Sequence, residues 1–268
     1  MSTHTAEVET ETPMVRREDR DGVAHLTLNR PKAYNALSLA MMGALIDALT
    51  EVDRDESVRV VVLKGGGKGF CAGHDLREMR ADPSRAFYEH VFGRCCELMQ
   101  TVTQIRQPVI AQVHGVATAA GCQLVATCDL AVAANTARLA TPGVNIGLFC
   151  STPMVALSRN VSRKRAMEML LTGEMIDADT AADWGLVNRA VPEADLEAET
   201  AKLADGIAAK SPLVLRIGKR AFYEQCEMDR DAAYRHTAEV MTENMLARDA
   251  AEGIDAFLEK RPPTWEGR

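Results

Sequence analysis

The sequence predicts an α/β fold built from crossover units, and three observations carry that expectation. β-branched runs at residues 59–64 and 109–113 alternate with stretches of helical spacing. A further short apolar run at 130–134 follows Asp129, and beyond Val191-Pro192 the composition turns to Ala, Glu, Lys and Arg with helical period. Strand and helix alternating over the first two thirds marks a sheet whose strands are joined by helices.

In chain order, Met1 to Thr12 are polar and rich in Glu and Thr. They lack the apolar core of a secretory signal and the Arg-rich amphipathic pattern of an import peptide, so a disordered leader over 1–13 is expected. Residues 25–30 alternate like a strand. Ser38 is placed to cap a helix reaching about Val52, and Pro83 or Ser84 opens another that runs to about Arg106. After the 109–113 strand, a helix is expected from about Thr118 to about Thr127. Helical segments near 193–209, 212–226, 230–247 and 250–260 close the chain. No Gly/Ser linker sets this tail apart, so it is expected to pack on the core or on a neighbouring subunit. The expected division is 1–13, 14–205 and 206–268.

Composition narrows the function. The 268 residues carry 31 Lys plus Arg against 38 Asp plus Glu, a formal charge of −7. A nucleic-acid or anionic-membrane binder needs a net basic surface, so neither partner is expected. Hydrophobic residues make up 47% but aromatics only 4%, with 13 Met, which suits adaptable apolar pockets better than base stacking. The 7 cysteines form no Cys-x-x-Cys pair. Free, mostly buried thiols in a reducing compartment are therefore expected rather than disulfides or a metal site. The most apolar region, 109–134, is interrupted by Gln112, His114, Gln123 and Asp129, leaving no span of about twenty apolar residues. A soluble, cytoplasmic protein is the expectation.

Most catalytic signatures are absent: no Gly-x-Ser-x-Gly, no His-Glu-x-x-His and no Gly-x-x-x-x-Gly-Lys-Ser/Thr. Gly67-Lys68-Gly69-Phe70-Cys71-Ala72 fits a relaxed dinucleotide fingerprint, but the residues after it read as a loop rather than the helix that fingerprint opens. Two other places share an architecture. The 59–64 strand leads through glycines into Ala72-Gly73-His74-Asp75-Leu76, and the 109–113 strand leads through residues 115–119 into a helix. Such small-residue turns either permit tight packing and nothing more, or leave outward N–H groups that two at a time can hold a developing oxyanion.

These residues, taken in order, resemble the crotonase, or enoyl-CoA hydratase/isomerase, superfamily. The resemblance runs from Asn29-Arg30-Pro31 and Asn35-Ala36-Leu37-Ser38 through Gly69-Phe70-Cys71-Ala72-Gly73-His74-Asp75-Leu76, Gln107-Pro108-Val109-Ile110-Ala111 and the stretch from His114 to Ala131. It continues through Leu170-Leu171-Thr172-Gly173, Ala181 to Val187 and Glu252 to Arg261. The stretches 119–124 and 141–153 match one particular branch of that superfamily.

The resemblance implies a spiral of ββα units followed by a helical trimerisation region, assembled as a homotrimer or a dimer of trimers. It implies chemistry on acyl-CoA thioesters, in fatty-acid or related metabolism, with coenzyme A entering as part of the substrate and no permanently bound cofactor. The oxyanion donors fall at the main-chain N–H groups of His74 and Ala120. The two hydratase glutamates correspond to Gln123 and Gly143, neither of which can move a proton near neutral pH, so efficient hydration of simple enoyl-CoA esters is doubted. Lys32, Ala36, Leu37, Ala72, Asp75, Leu76, Gly121, Cys150, Lys219 and Phe222 correspond to substrate- or CoA-contacting positions. The His74 side chain either lines the pocket or moves protons. Asp75 reads as a helix cap, Asp129 as a buried structural acid, His114 as a hydrogen-bonded turn residue, and Cys150 and Ser151 as pocket wall. The competing reading is a CoA-ester binder that has lost efficient catalysis.

Overall fold

The computed structural model describes residues 12–268, so the expected leader lies almost wholly outside the described residues. The chain opens with a hairpin, β1 (Val15–Arg20) antiparallel to β2 (Val23–Leu28). Asp21 and Gly22 turn it with φ of 50° and 79°, the twist that two-residue Asp-Gly hairpins favour. Then β3 (Val60–Gly65), β4 (Val109–Val113), β6 (Leu130–Ala134) and β9 (Arg189–Val191) add in parallel, giving the order β1-β2-β3-β4-β6-β9. Short strands β5 (Val116–Thr118), β7 (Arg138–Ala140) and β8 (Ile176–Asp177) make a second sheet, β5-β7-β8.

Both faces of the large sheet are buried, which explains why its strands read as continuous apolar runs. Along β2, β3 and β4, Leu26, Leu28, Val61, Leu63, Ala111 and Val113 enter the main core. That core also takes in α1 (Leu39–Arg54), α3 (Arg85–Gln104) and α4 (Ala120–Thr127). On the other face Val23, Val60, Val62 and Ile110 meet Ala204 of α8 (Leu196–Ala208). The Ser38 and Ser84 hydroxyls cap α1 and α3, accepting from the N–H groups of Met41 and Phe87, as the sequence leads one to expect.

One helix boundary is corrected. Residues 116–118 form β5 rather than the start of a helix, because the Thr118 N–H bonds the Cys71 carbonyl and the Ala119 N–H the Ala140 carbonyl. The helix begins only at Ala120. The middle of the chain holds α5 (Pro153–Asn160), α6 (Arg163–Thr172) and α7 (Ala178–Asp183), and α2 (Leu76–Ala81) is a short helix after the first turn.

The tail contains α9 (Pro212–Gln225), α10 (Arg230–Met245) and α11 (Arg248–Glu259). The expected boundary at 205/206 falls inside α8, which belongs to the sheet packing. Buried Asp249 ties the tail together: it accepts from the Ser211 hydroxyl at 2.5 Å and from the Glu266 N–H at 2.7 Å. In the single chain Phe222, Tyr234, Leu246, Phe257 and Leu258 are exposed. Among the described residues, no helix is long and apolar enough to cross a membrane.

Candidate active site

The first turn is set by register. Leu37 pairs with His74 as a parallel bridge in which the Leu37 N–H bonds the Gly73 carbonyl at 2.8 Å and the Asp75 N–H bonds the Leu37 carbonyl at 3.3 Å. The bridge therefore uses the peptide groups on either side of His74 and turns its own N–H away from the pairing. No hydrogen bond among the described residues occupies that N–H. The donor is freed by this bridge rather than by a helix start, since α2 begins only at Leu76, with Asp75 as its cap.

The second donor is conventional: Ala120 is the first residue of α4, where an N–H has no partner within the helix. Ala119 before it holds φ 50° and ψ −119°, a strained conformation for a residue with a side chain. The two turns lie in contact. A Cβ on Gly73 would come within 2.9 Å of the Ala119 Cβ and 3.2 Å of the Ala120 nitrogen. One on Gly121 would land on the Cys71 carbonyl oxygen. Only glycine at these positions lets the backbones approach so closely.

Asn35 anchors the first turn from behind. It is fully buried, accepts the Arg30 N–H at 3.0 Å and shares its amide protons between the carbonyls of Gly66, Gly69 and Phe70. Its φ of 55° and that of Tyr34, 47°, are left-handed, a region that Asn tolerates better than most residues. The sequence shows Asn35 only as part of the family resemblance, although an Asn before a small-residue turn is a usable signal for this task.

The two positions expected to correspond to glutamates, Gln123 and Gly143, differ in what they offer. Gln123 is buried on α4, and the Cys95 thiol points at its Oε1 from 3.8 Å. Gly143 sits in a 3₁₀ turn with no room for a side chain: a Cβ there would lie 2.5 Å from the Leu148 carbonyl oxygen and 2.9 Å from the Cys150 Sγ. Cys150 is thus wall at this point. Burial pushes its thiol upward, and Cys71, Cys95 and Cys122 reach about 12 for the same cause. Cysteine is free at all 7 positions, five buried, with Cys96 and Cys226 exposed. Thr141, next to this turn, has a buried hydroxyl with no partner.

Asp75 accepts from the N–H groups of Arg77 and Glu78 and pairs with the Arg30 guanidinium at 2.6 Å. Burial alone would raise its carboxyl, but Arg30 and the two N–H groups outweigh that and hold it below the usual carboxylate range. It is a cap and tether. His114 Nε2 meets the Gly67 carbonyl at 2.9 Å. Asp129 takes the Val109 N–H at 2.7 Å, the Tyr223 hydroxyl at 2.9 Å and the Lys219 ammonium at 2.7 Å.

The expected contact residues fall into two groups. Ala36, Leu37, Ala72, Asp75, Leu76 and Gly121 are on or against the two turns, and Cys150 faces Gly143. Lys32 is exposed in the turn before Asn35. Lys219 and Phe222 are elsewhere, on α9. There the Lys219 ammonium also bonds the Val102 and Gln107 carbonyls, each at 2.9 Å, tying α9 to the end of α3 and the segment leading into β4, while Phe222 is exposed.

The His74 imidazole is the unusual group. Both ring nitrogens are buried and have no hydrogen-bond partner, and the Phe92 ring meets it edge-on with centroids 5.6 Å apart. Burial holds its pKa below the ordinary histidine value, against the Leu37 carbonyl, which lies near the ring outside hydrogen-bond geometry and acts the other way. His25 is lowered too, by burial and then by Lys64 and Arg20. Both folded-state values lie below the unfolded value near 6.5, so the unfolded chain binds more protons in the window beneath it. Stability should therefore be complete above about pH 6.5 and decline as pH falls below it. Urea midpoints between pH 8 and 5 check this, and His74→Gln should lessen the slope, leaving the share due to His25; a flat wild-type profile would contradict it.

Comparison with known proteins places these turns in context. A model of the enoyl-CoA hydratase/isomerase family matches residues 18–268. The human mitochondrial enoyl-CoA hydratase domain-containing protein 3 is 47% identical over 246 residues, covering 91% of this chain and 81% of that protein. Its crystal structure superposes with a TM-score of 0.92 at 45% identity, covering 94% of this chain and 100% of the other. An enoyl-CoA hydratase from Mycobacterium smegmatis gives a TM-score of 0.93 at 54% identity, covering 95% and 99%. The branch expected from residues 119–124 and 141–153 is that of the human protein. One expectation is overturned: the human, rat and mouse relatives are all named as mitochondrial, which corrects the cytoplasmic location expected from the leader's composition.

Proposed function

Because the chain belongs to the enoyl-CoA hydratase/isomerase family, we propose that it binds an acyl-CoA thioester and stabilises its enolate between the His74 and Ala120 N–H groups. The observation that carries this reading is the contact of two strand-to-helix turns, each with one unoccupied N–H. Two preorganised donors aimed at one oxygen stabilise charge as it develops on the thioester carbonyl. Ala36, Leu37, Ala72, Asp75, Leu76, Gly121 and Cys150 border the acyl and thioester portion, and exposed Lys32 offers a cation to the polyanionic CoA. Coenzyme A enters as substrate, and no resident cofactor is needed for proton transfer.

Ala120→Pro tests the hole. Proline fits the first position of a helix and removes that N–H, so acyl-CoA turnover should fall about 10²–10³-fold. Unchanged turnover in a folded variant would contradict the assignment. A second reading, a CoA-ester binder without turnover, has one observation in its favour: neither Gln123 nor Gly143 supplies a carboxylate. It predicts binding with no reaction across a panel of acyl-CoA esters.

The exposed apolar side chains of α9, α10 and α11 support assembly through this tail as a homotrimer or a dimer of trimers. Sedimentation velocity should give a trimer or its double, and a monomer at micromolar concentration would contradict it.

A further inference from the structure

We propose that the His74 imidazole, not a carboxylate, is the proton-carrying group of this site, so that the chain catalyses one-base proton shuttling along the acyl chain. The proposal rests on the enolate-stabilising reading above. A buried polar nitrogen without a partner costs roughly 1–3 kcal/mol, and His74 has two of them on one ring. A chain that needed only an apolar wall could place an aliphatic residue there. An imidazole left open at both nitrogens is ready to accept a proton at one of them and to be partnered by substrate.

Its position suits that use. The ring springs from the same residue whose N–H is offered to the thioester oxygen, so carbons adjoining a carbonyl held at that N–H fall within its reach. Phe92 of α3 closes the ring from one side. Phe92 itself borders the open outer face of α3, together with Arg85, Tyr88, Glu89, Gly93 and Cys96. A Cβ built on Gly93 would meet nothing within 4 Å. The Phe92 side chain, 37% exposed in its residue, has this space to swing into when an acyl chain enters. Burial keeps the imidazole neutral near pH 7, the form that accepts a proton. Of the other polar groups near the two turns, Gln123 and Thr141 do not titrate in that range, and the Asp75 carboxylate is engaged by Arg30 and by the Arg77 and Glu78 N–H groups.

One base suffices for allylic isomerisation. The neutral nitrogen takes a proton from C2 of a 3-enoyl-CoA, and the C–H electron pair moves into the thioester carbonyl, whose oxygen becomes the anion held by the two N–H groups. As the carbonyl re-forms, the enolate pair makes the C2–C3 double bond, and the former C3–C4 π pair takes the proton back from the imidazolium at C4. Nothing is oxidised or reduced and no water is consumed. Hydration, by contrast, requires water activation at C3 as well as protonation at C2.

The test uses full-length protein with butyryl-CoA and hexanoyl-CoA, which can exchange C2 hydrogen but cannot isomerise or hydrate, and with 3-hexenoyl-CoA. Deuterium uptake at C2 in D₂O and conversion to 2-hexenoyl-CoA are followed for wild type, His74→Ala and His74→Gln, along with binding of hexanoyl-CoA. Both variants keep the main-chain donor. The expected result is exchange and isomerisation by wild type, lost by about 10²–10⁴-fold in both variants with hexanoyl-CoA binding retained, and partly restored in His74→Ala by added imidazole. Exchange within tenfold of wild type in folded His74→Gln would overturn the His74 assignment and leave the enolate reading standing. Wild type that binds hexanoyl-CoA yet exchanges no C2 hydrogen would also overturn it. Failure of wild type to bind either ester would remove the enolate reading itself and this proposal with it.

Discussion

Crotonyl-CoA should be hydrated at least about 10⁴-fold more slowly by this protein than by an enzyme with two glutamates at the positions of Gln123 and Gly143. Hydration needs a group to activate water at C3 and one to deliver a proton at C2, and general acid–base catalysis supplies about 10²–10⁴-fold for each. A glutamine amide, as at Gln123, does not accept water's proton near neutral pH, and Gly143 has no side chain. Geometry decides which group can be restored. Gln123→Glu is nearly isosteric and should fold, although its carboxyl would be buried beside the Cys95 thiol and raised by desolvation. Gly143→Glu should destabilise the protein, because its Cβ would lie 2.5 Å from the Leu148 carbonyl oxygen. The double variant should therefore gain no hydratase activity until Leu148 and Cys150 are also moved. Steady-state hydration of crotonyl-CoA checks the series, and wild-type turnover equal to an efficient hydratase would contradict it.

Gly121→Ala should damage fold and site together. Its new methyl group would fall on the Cys71 carbonyl oxygen, whose hydrogen bond to the Thr118 N–H joins the two turns. Overpacking of this kind costs typically 1–3 kcal/mol, and this site, backbone on both sides, should fall at about 3 kcal/mol. The relief available is separation of the turns, and displacement of a catalytic group by about 1 Å can cost about 10²-fold in rate. Gly206→Ala is the control: Gly206 is an exposed α8 position where a Cβ would meet nothing within 4 Å. It should stabilise by about 0.5–1 kcal/mol. Urea unfolding of both variants, with acyl-CoA turnover, reads both effects; equal stability of the two would contradict the contact.

The large parallel sheet was legible because its strands are buried on both faces, so the runs ending in Leu63, Val113 and Ala134 are nearly pure β-branched and small apolar residues. Ser38 and Ser84 announced their helices by a chemistry that is local in sequence. Strand β1 was missed: Val15–Arg20 is an exposed edge with five charged residues in succession before the turn, and only Asp21-Gly22 hinted at the hairpin. The second sheet was missed because strands of two and three residues are too short to show a period. For the site, spacing gave two small-residue turns, and the family resemblance gave the residues. That the His74 N–H is freed by pairing with Leu37, far away in sequence, is a tertiary fact no local pattern holds. Nor could the sequence show that Cys150 and Leu148 fill the space beside Gly143, or that the His74 ring has no partner.

A structure of the protein with a non-reactive acyl-CoA thioester bound decides whether the two N–H groups hold one oxygen. The thioester carbonyl oxygen should lie about 2.7–3.1 Å from both the His74 and the Ala120 nitrogens, with Gln123 and the His74 ring facing the acyl carbons. A bound thioester whose carbonyl oxygen lies far beyond hydrogen-bond reach of both nitrogens would contradict it.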